Sequence, residues 1–369
     1  MATGLVDGHL LLHTAGAAGA AKEKFSIKAH DRDNPCRAVR FSLAGDLVVT
    51  GSTDKSILAV DVATGKPRAR KKNAHSSAVN RLLGIDEHVF ASGDDDGAVS
   101  LWDSREQNAI ATLTPHSDYV ADFYYHAPEQ SLISVSGDGT LALIDLRSSA
   151  RYKVKETSEG DADDELLSVT VLKHGKKIVC GTASGVLDIW SWGYWNDCSD
   201  RFPGHPDSVT SVVKWDESSV LTGSSDGIIR VLSIQPNKMV GVLGEHGEFD
   251  IERMAMSEDG AVLASVSHDN TIKLWDLSIL VDDDDSGDDD GEEAEEEKEE
   301  EESDESSDDE DDDDTTNTNT KKKKRKKHDD RKELAKKRGK GQHKIHPKKK
   351  HGGGGNGGGG RGNFFADLL

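Results

Sequence analysis

A short turn-and-strand unit returns seven times along this 369-residue chain. The units read VDGHLLLH, TGSTDKSILAVDV, SGDDDGAVSLWD, SGDGTLALIDLR, GTASGVLDIWSW, GSSDGIIRVLSI and SHDNTIKLWDL. Their turn residues are Asp7, Asp54, Asp96, Asp138, Ser184, Asp226 and Asp269, separated by 47, 42, 42, 46, 42 and 43 positions. A fixed period of about 40–45 residues marks a repeat architecture, in which no unit buries its apolar surface alone and neighbours must stack.

The third period shows what one unit contains. His75 precedes Ala78–Leu83, then come His88–Ser92, the turn Gly93–Gly97, Ala98–Asp103 and Ala109–Leu113. These are four strand-length segments punctuated by Gly, Asp, Ser and Pro. Four antiparallel strands make one blade, and blades packed face to face bury both sheet surfaces. The fold class is therefore all-β, a seven-bladed β-propeller whose first blade is truncated. The first unit starts at its turn, so the two strands that should precede Leu5 are missing and two N-terminal strands are left over. Five complete sets follow from Cys36 to Val240–Leu243, then a three-stranded set from Phe249 to Leu277. A six-bladed ring closed by residues near Lys24–Ala29 is the alternative; the survival of seven turn units favours seven blades.

His75, Ser92, Asp96 and Trp102 contain the residue types of a hydrolase triad. The quartet recurs as His246, Ser265, Asp269 and Trp275, and decays elsewhere, with Leu232 following Thr222 and Asp226, and Ile144 following Ser134 and Asp138. A triad is needed once; a repeated and decaying network holds blades together. No catalytic residue is assigned. No phosphate-cradling Gly loop, HExxH or CxxC is present, so neither cofactor nor metal is expected. Three scattered cysteines (Cys36, Cys180, Cys198) suit a reducing compartment.

Charge divides the chain. Residues 1–281, the propeller, carry 27 bases and 40 acids. Residues 282–314 hold 25 acids and one base, and 315–351 include 17 bases between Lys321 and His351. Residues 352–369 form a Gly-rich tether ending in Asn363-Phe364-Phe365-Ala366-Asp367-Leu368-Leu369. The acidic, basic and Gly-rich segments bury too little apolar surface to fold and are predicted to be disordered. Lys321, Lys322, Lys323, Lys324, Arg325, Lys326 and Lys327 form a basic cluster of the nuclear-import type. The acidic block suits basic proteins or shields these bases, and the basic run suits RNA. Ser286, Ser306 and Ser307 each have an acid three residues downstream, the pattern of acidophilic phosphorylation. His343, His346 and His351 belong to the basic tract, whose lysines repel a metal ion. Phe364, Phe365 and Leu368 are apolar anchors outside any core, and their groove lies in another protein or on the propeller. No apolar run approaches the roughly 18–20 residues of a membrane span.

The segments GLVDGHLLLH, CRAVRFS, NAHSSAVNRLL, SGDGTL, DDELLSV, SWGYWNDCSDRF, KLWDL and NFFADL, followed through the acidic-then-basic tail, resemble the WD repeat-containing protein 55 family. The resemblance implies a non-enzymatic WD-repeat scaffold, nuclear and nucleolar with some in the cytoplasm. It implies pre-ribosomal factors as partners, in ribosomal RNA processing and large-subunit assembly, with the protein monomeric within a larger complex. Trp102-Asp103-Ser104-Arg105 also resembles the WDxR box by which cullin-RING ligase receptors dock on the DNA-damage-binding adaptor. Ile144-Asp145-Leu146-Arg147 repeats it in the next blade. Both arginines follow a third strand and are expected on one face, opposite the His/Asp loops.

Overall fold

The computed structural model describes residues 1–15, 21–31, 33–148, 152–158 and 164–278. Tight turns with Gly at positive φ (Gly97 at 80°, Gly139 at 75°, Gly227 at 79°) reverse the chain after Asp96, Asp138 and Asp226, a conformation glycine adopts without steric cost, while Lys55 and Asn270 take the same place after Asp54 and Asp269. Each reversal pairs two apolar strands antiparallel, and the period becomes a sheet.

The first sheet contains β1 (Ala2–Gly4), β2 (His9–Ala15) and β3 (Ala21–Lys28) in that order. Five four-stranded sheets follow. They are β4 (Cys36–Phe41) to β7 (Pro67–Lys71) through β5 (Leu47–Ser52) and β6 (Ile57–Asp61), then β8 (Val79–Gly84), β9 (Val89–Asp94), β10 (Val99–Asp103) and β11 (Ala111–Leu113). Next come β12 (Val120–His126), β13 (Ser131–Ser136), β14 (Leu141–Asp145) and β15 (Lys153–Thr157), and β16 (Leu166–Leu172), β17 (Lys177–Thr182), β18 (Val186–Ser191) and β19 (Asp200–Pro203). The fifth is β20 (Val209–Lys214), β21 (Ser219–Ser224), β22 (Ile228–Ser233) and β23 (Lys238–Glu245), and a three-stranded sheet of β24 (Ile251–Met256), β25 (Val262–Ser267) and β26 (Ile272–Asp276) ends the series. Consecutive inner strands β4, β8, β12, β16, β20 and β24 are neighbours. Arg253 on β24 reaches Asp122 on β12, so the inner strands enclose a common centre. This is the seven-bladed propeller arrangement.

The core lies between blades. Ala91, Val99 and Leu101 of one sheet pack with Val120, Phe123, Leu132 and Ile144 of the next. All five residues of β6 are buried, whereas the outer β7 is half-buried to exposed. Burying each such Leu or Ile contributes about 1.5–3 kcal/mol. A Cβ on Gly93 would stand 2.6 Å from the Val120 Cβ, so that contact between sheets requires glycine.

The N-terminus departs from expectation in one respect. Ala2–Gly4 forms a strand ahead of the Asp7 turn, pairing with β2 through Ala2↔Leu12 and Gly4↔Leu10. Ala21–Lys28 is the outer strand of this same sheet. Three N-terminal strands are therefore present, not two. The polar sequence AKEKFSIK hides β3 from a search for apolar runs, and β1 is only three residues long.

Candidate protein-docking site

The repeated quartet is a buried hydrogen-bond relay. His246 bonds Asp269 through Nδ1 at 2.8 Å and Ser265 through Nε2 at 2.6 Å, and Trp275 Nε1 donates to the Ser265 hydroxyl at 2.8 Å. The third period builds the same relay with a different acid. His75 Nδ1 meets Asp94 at 3.0 Å, not Asp96, while Nε2 meets Ser92 at 2.5 Å and Trp102 Nε1 donates to Ser92 at 2.7 Å. Asp94 also accepts from the backbone N–H of Asp96 and Ala98 at 3.1 and 2.8 Å. Other sheets have a short hydroxyl residue there (Ser52, Ser136, Ser224, Ser267), so an aspartate at that position reaches the histidine first and leaves Asp96 exposed. Ser92 is fully buried and its hydroxyl is engaged on both sides, so it is not presented to a substrate.

The β4–β7 and β12–β15 sheets keep the histidine relay but have Val60 and Ile144 in place of the tryptophan, and two further blades lose more of it. In the β16–β19 sheet Asp164 holds the Ser184 amide at 2.9 Å, and Cys180 stands where Ser92 and Ser265 stand. Trp190 Nε1 is consequently buried without a hydrogen-bond partner among the described residues. In the β20–β23 sheet Arg230 grips Asp226 at 3.0 and 2.6 Å. Among the described residues His205 keeps one side-chain bond, to Thr222 at 2.9 Å, and its Nδ1 is buried and unpartnered. Burial, reinforced by Arg230, pushes the His205 imidazole down to about 4.

The WDxR residues lie at the opposite ends of these strands. Asp103 closes β10 and Asp145 closes β14, equivalent positions in consecutive sheets. Arg105 Nε and Nη2 bind the Asp103 carboxylate at 2.8 and 2.6 Å, and Arg147 binds Asp145 at 2.9 and 2.6 Å. Each aspartate also accepts the arginine's own backbone N–H, at 2.9 and 3.0 Å. The hydrogen bond from Arg105 holds the Asp103 carboxyl below its usual range, and Arg147 does the same for Asp145 more strongly. The arginine side chains stay 56% and 54% exposed, fixed in direction yet open to a partner. Trp102, by contrast, is 2% exposed and supports this box from inside. Leu83 and Ile85 of one sheet and Leu146, Tyr152 and Val154 of the next pack against the same buried cluster, tying the two sheets together.

A third pair was missed from sequence. Asp61 closes β6 at the same position, and Arg68, seven residues on in β7, binds it at 3.1 and 2.9 Å while remaining 48% exposed. The signal was the alignment of Asp61 with Asp103 and Asp145. Three consecutive blades thus present an aspartate-anchored guanidinium.

The ring centre holds another cluster. Arg253 binds Asp122 at 3.3 Å and the Ala121 carbonyl at 3.0 Å, and Arg81 bonds the Ala121 and Asn80 carbonyls. Among the described residues Arg40 bonds only the Val39 carbonyl, at 3.4 Å. Enclosure, with Arg253 nearby, lowers the Arg81 guanidinium to about 9. Glu252 is engaged by His268 at 2.7 Å. Among the described residues, Asp122 is the carboxylate that all three guanidiniums face.

Lys321 to Lys327, Phe364, Phe365 and Leu368 lie outside the described residues. A family model described as WDR55 matches residues 1–280. WD repeat-containing protein 55 of Arabidopsis thaliana is 41% identical over 283 residues, 76% of this chain and 78% of that protein. Its Homo sapiens namesake is 37% identical over 281 residues, 76% of this chain and 72% of that protein. WD repeat-containing protein JIP5 of Coprinopsis cinerea is 38% identical over 284 residues, 74% of this chain and 68% of that protein. The solved WD40 β-propeller domain of Doa1 matches with a TM-score of 0.62 at 18% identity, covering 74% of this chain and 88% of that one, a likeness of fold alone.

Proposed function

This chain belongs to the WD repeat-containing protein 55 family, and on that premise we propose that it is a non-enzymatic nuclear scaffold, concentrated in the nucleolus, that joins pre-ribosomal factors during large-subunit rRNA processing. WD-repeat propellers are protein-interaction scaffolds, and function resides in the surfaces they present. The supporting observation is the row of anchored guanidiniums Arg68, Arg105 and Arg147, one per blade on three consecutive blades. A pre-ordered planar fork loses little entropy on meeting a carboxylate or carbonyl of a partner. The cluster Lys321–Lys327 supports nuclear entry, and polyanionic RNA supports retention. Depleting the protein should accumulate unprocessed large-subunit rRNA precursors, and neutralising the seven bases should leave it in the cytoplasm. Normal precursor levels on depletion would sink the processing role.

The WDxR geometry favours a second reading, a substrate receptor docking on a cullin-RING ligase adaptor. On that reading Arg105→Ala with Arg147→Ala abolishes adaptor capture while rRNA processing continues. The first reading predicts the reverse, and one affinity purification of wild type against the double variant decides between them.

A further inference from the structure

Residues 1–281 carry 40 acids against 27 bases, yet two short segments reverse the sign. Residues 21–28 and 65–72 together hold eight bases and one acid, Glu23. They are β3, and β7 with its flanks, the outer strands of consecutive sheets. Packing between the sheets brings the segments together. A Cβ on Gly65 would stand 3.0 Å from the Phe25 ring, and Arg70 donates to the Ala29 carbonyl. The chain at Lys24 is therefore adjacent to that at Lys66, and the chain at Lys28 to that at Arg70. Phe25 and Ile27 pack against the cluster that holds Leu58 and Val60, which fixes β3 beside its neighbour.

The eight bases divide by what holds them. Arg68 is bound to Asp61, Arg70 has Asp54 at 3.9 Å, and Lys71 turns to the next blade, donating to the Gln107 carbonyl at 2.9 Å. Lys22, Lys24, Lys28, Lys66 and Lys72 are exposed, and their ammonium groups bond no other described residue. Charge on an outer strand guards against edge-to-edge pairing, but that task needs no particular sign. The other outer strands bear this out. β15 mixes Lys153 and Lys155 with Glu156, β19 sets Asp200 beside Arg201, β23 runs from Lys238 to Glu245, and β11 is uncharged. A surplus of one sign across two consecutive blades attracts a polyanion. Neither segment exposes an aromatic or large aliphatic side chain. Lysine is depleted from protein–protein interfaces, which rely on apolar anchors, whereas nucleic-acid interfaces are polar and strongly positive.

We propose that β3 and the β7 segment form a surface for the phosphodiester backbone of double-stranded RNA, held by Lys22, Lys24, Lys28, Lys66 and Lys72. The step from Lys24 to Lys28 spans about 13 Å, on the order of four phosphates along one strand of a duplex. Without a stacking platform these contacts position the RNA and read no bases. The choice of RNA over DNA rests on the proposed function; the phosphate chemistry does not.

The test titrates a fluorescein-labelled RNA duplex of about 20 base pairs with the full chain. Lys321–Lys327 are changed to Gln throughout, so that the basic tail does not mask the surface. The variant adds Lys22→Gln, Lys24→Gln, Lys28→Gln, Lys66→Gln and Lys72→Gln, all at exposed positions, and an unchanged Tm checks its fold. Binding should weaken at least tenfold near 0.1 M salt, and the slope of log K against log salt should flatten by about 4, alike for two duplexes of unrelated sequence. Unchanged affinity and slope would overturn the proposal. Loss of polyglutamate binding in the variant, at unchanged RNA affinity, would overturn it in favour of an acidic protein segment. A DNA duplex bound tenfold more tightly than the RNA, with the preference erased by the five changes, would overturn the choice of RNA. The titration reads purified protein, so its outcome is separate from rRNA precursor levels on depletion.

Discussion

Asp94→Ala and Asp96→Ala differ by two positions in a run of three aspartates, and the structure separates them sharply. The Asp94 side chain is fully buried. Burial pushes its carboxyl up, but hydrogen bonds from His75 and the Ala98 amide outweigh this and hold it below the usual range. Truncation strands three donors: His75 Nδ1 at 3.0 Å, the Asp96 amide at 3.1 Å and the Ala98 amide at 2.8 Å. Each unsatisfied buried group costs about 1–3 kcal/mol, and breaking a buried charged network costs about 3–5 kcal/mol in sum after relaxation. At about 2–4 °C per kcal/mol for a domain of this size, Asp94→Ala should lower Tm by roughly 10 °C. Asp96→Ala, at an exposed turn position, should stay within about 0.5 kcal/mol. Thermal unfolding followed by tryptophan fluorescence reads both, because Trp102 bonds the same Ser92 as His75. An Asp96→Ala loss equal to that of Asp94→Ala would refute the reassigned relay, as would an Asp94→Ala loss below about 1 kcal/mol.

Three further outcomes follow from particular atoms. His205, down to about 4 when folded, binds a proton more readily unfolded, so its contribution is complete above the ordinary histidine value and is lost as pH falls from about 6.5 to 4; His205→Gln should flatten urea-measured stability across that window by up to about 3 kcal/mol. Cys180→Ser should give the orphaned Trp190 Nε1 the acceptor that Trp102 and Trp275 have, raising the urea midpoint by the equivalent of about 1 kcal/mol. In native protein a thiol reagent should label Cys198 alone, because burial pushes the Cys36 thiol up to about 12 and encloses Cys180 completely, and both should react after unfolding.

The seven-bladed class and the strands of the complete blades were readable from the sequence, because turn chemistry and apolar alternation act over a few residues, whereas the short β1 and the polar β3 were not. The same locality made His75, Ser92 and Trp102 visible as one network. Asp94 was not separable from Asp96, since either fits the composition and only the folded turn decides which carboxylate reaches the imidazole. Arg68 escaped notice because it meets Asp61 across a strand pair, not within a short motif. Arg81 and Arg253 hold the same position in their repeats but lie far apart in sequence, and Arg40 holds another; they converge because the ring brings inner strands distant in sequence around one centre. Periodicity records what each blade does for itself. The convergence of Arg40, Arg81 and Arg253 beside Asp122 exists only once the blades are arranged in a circle.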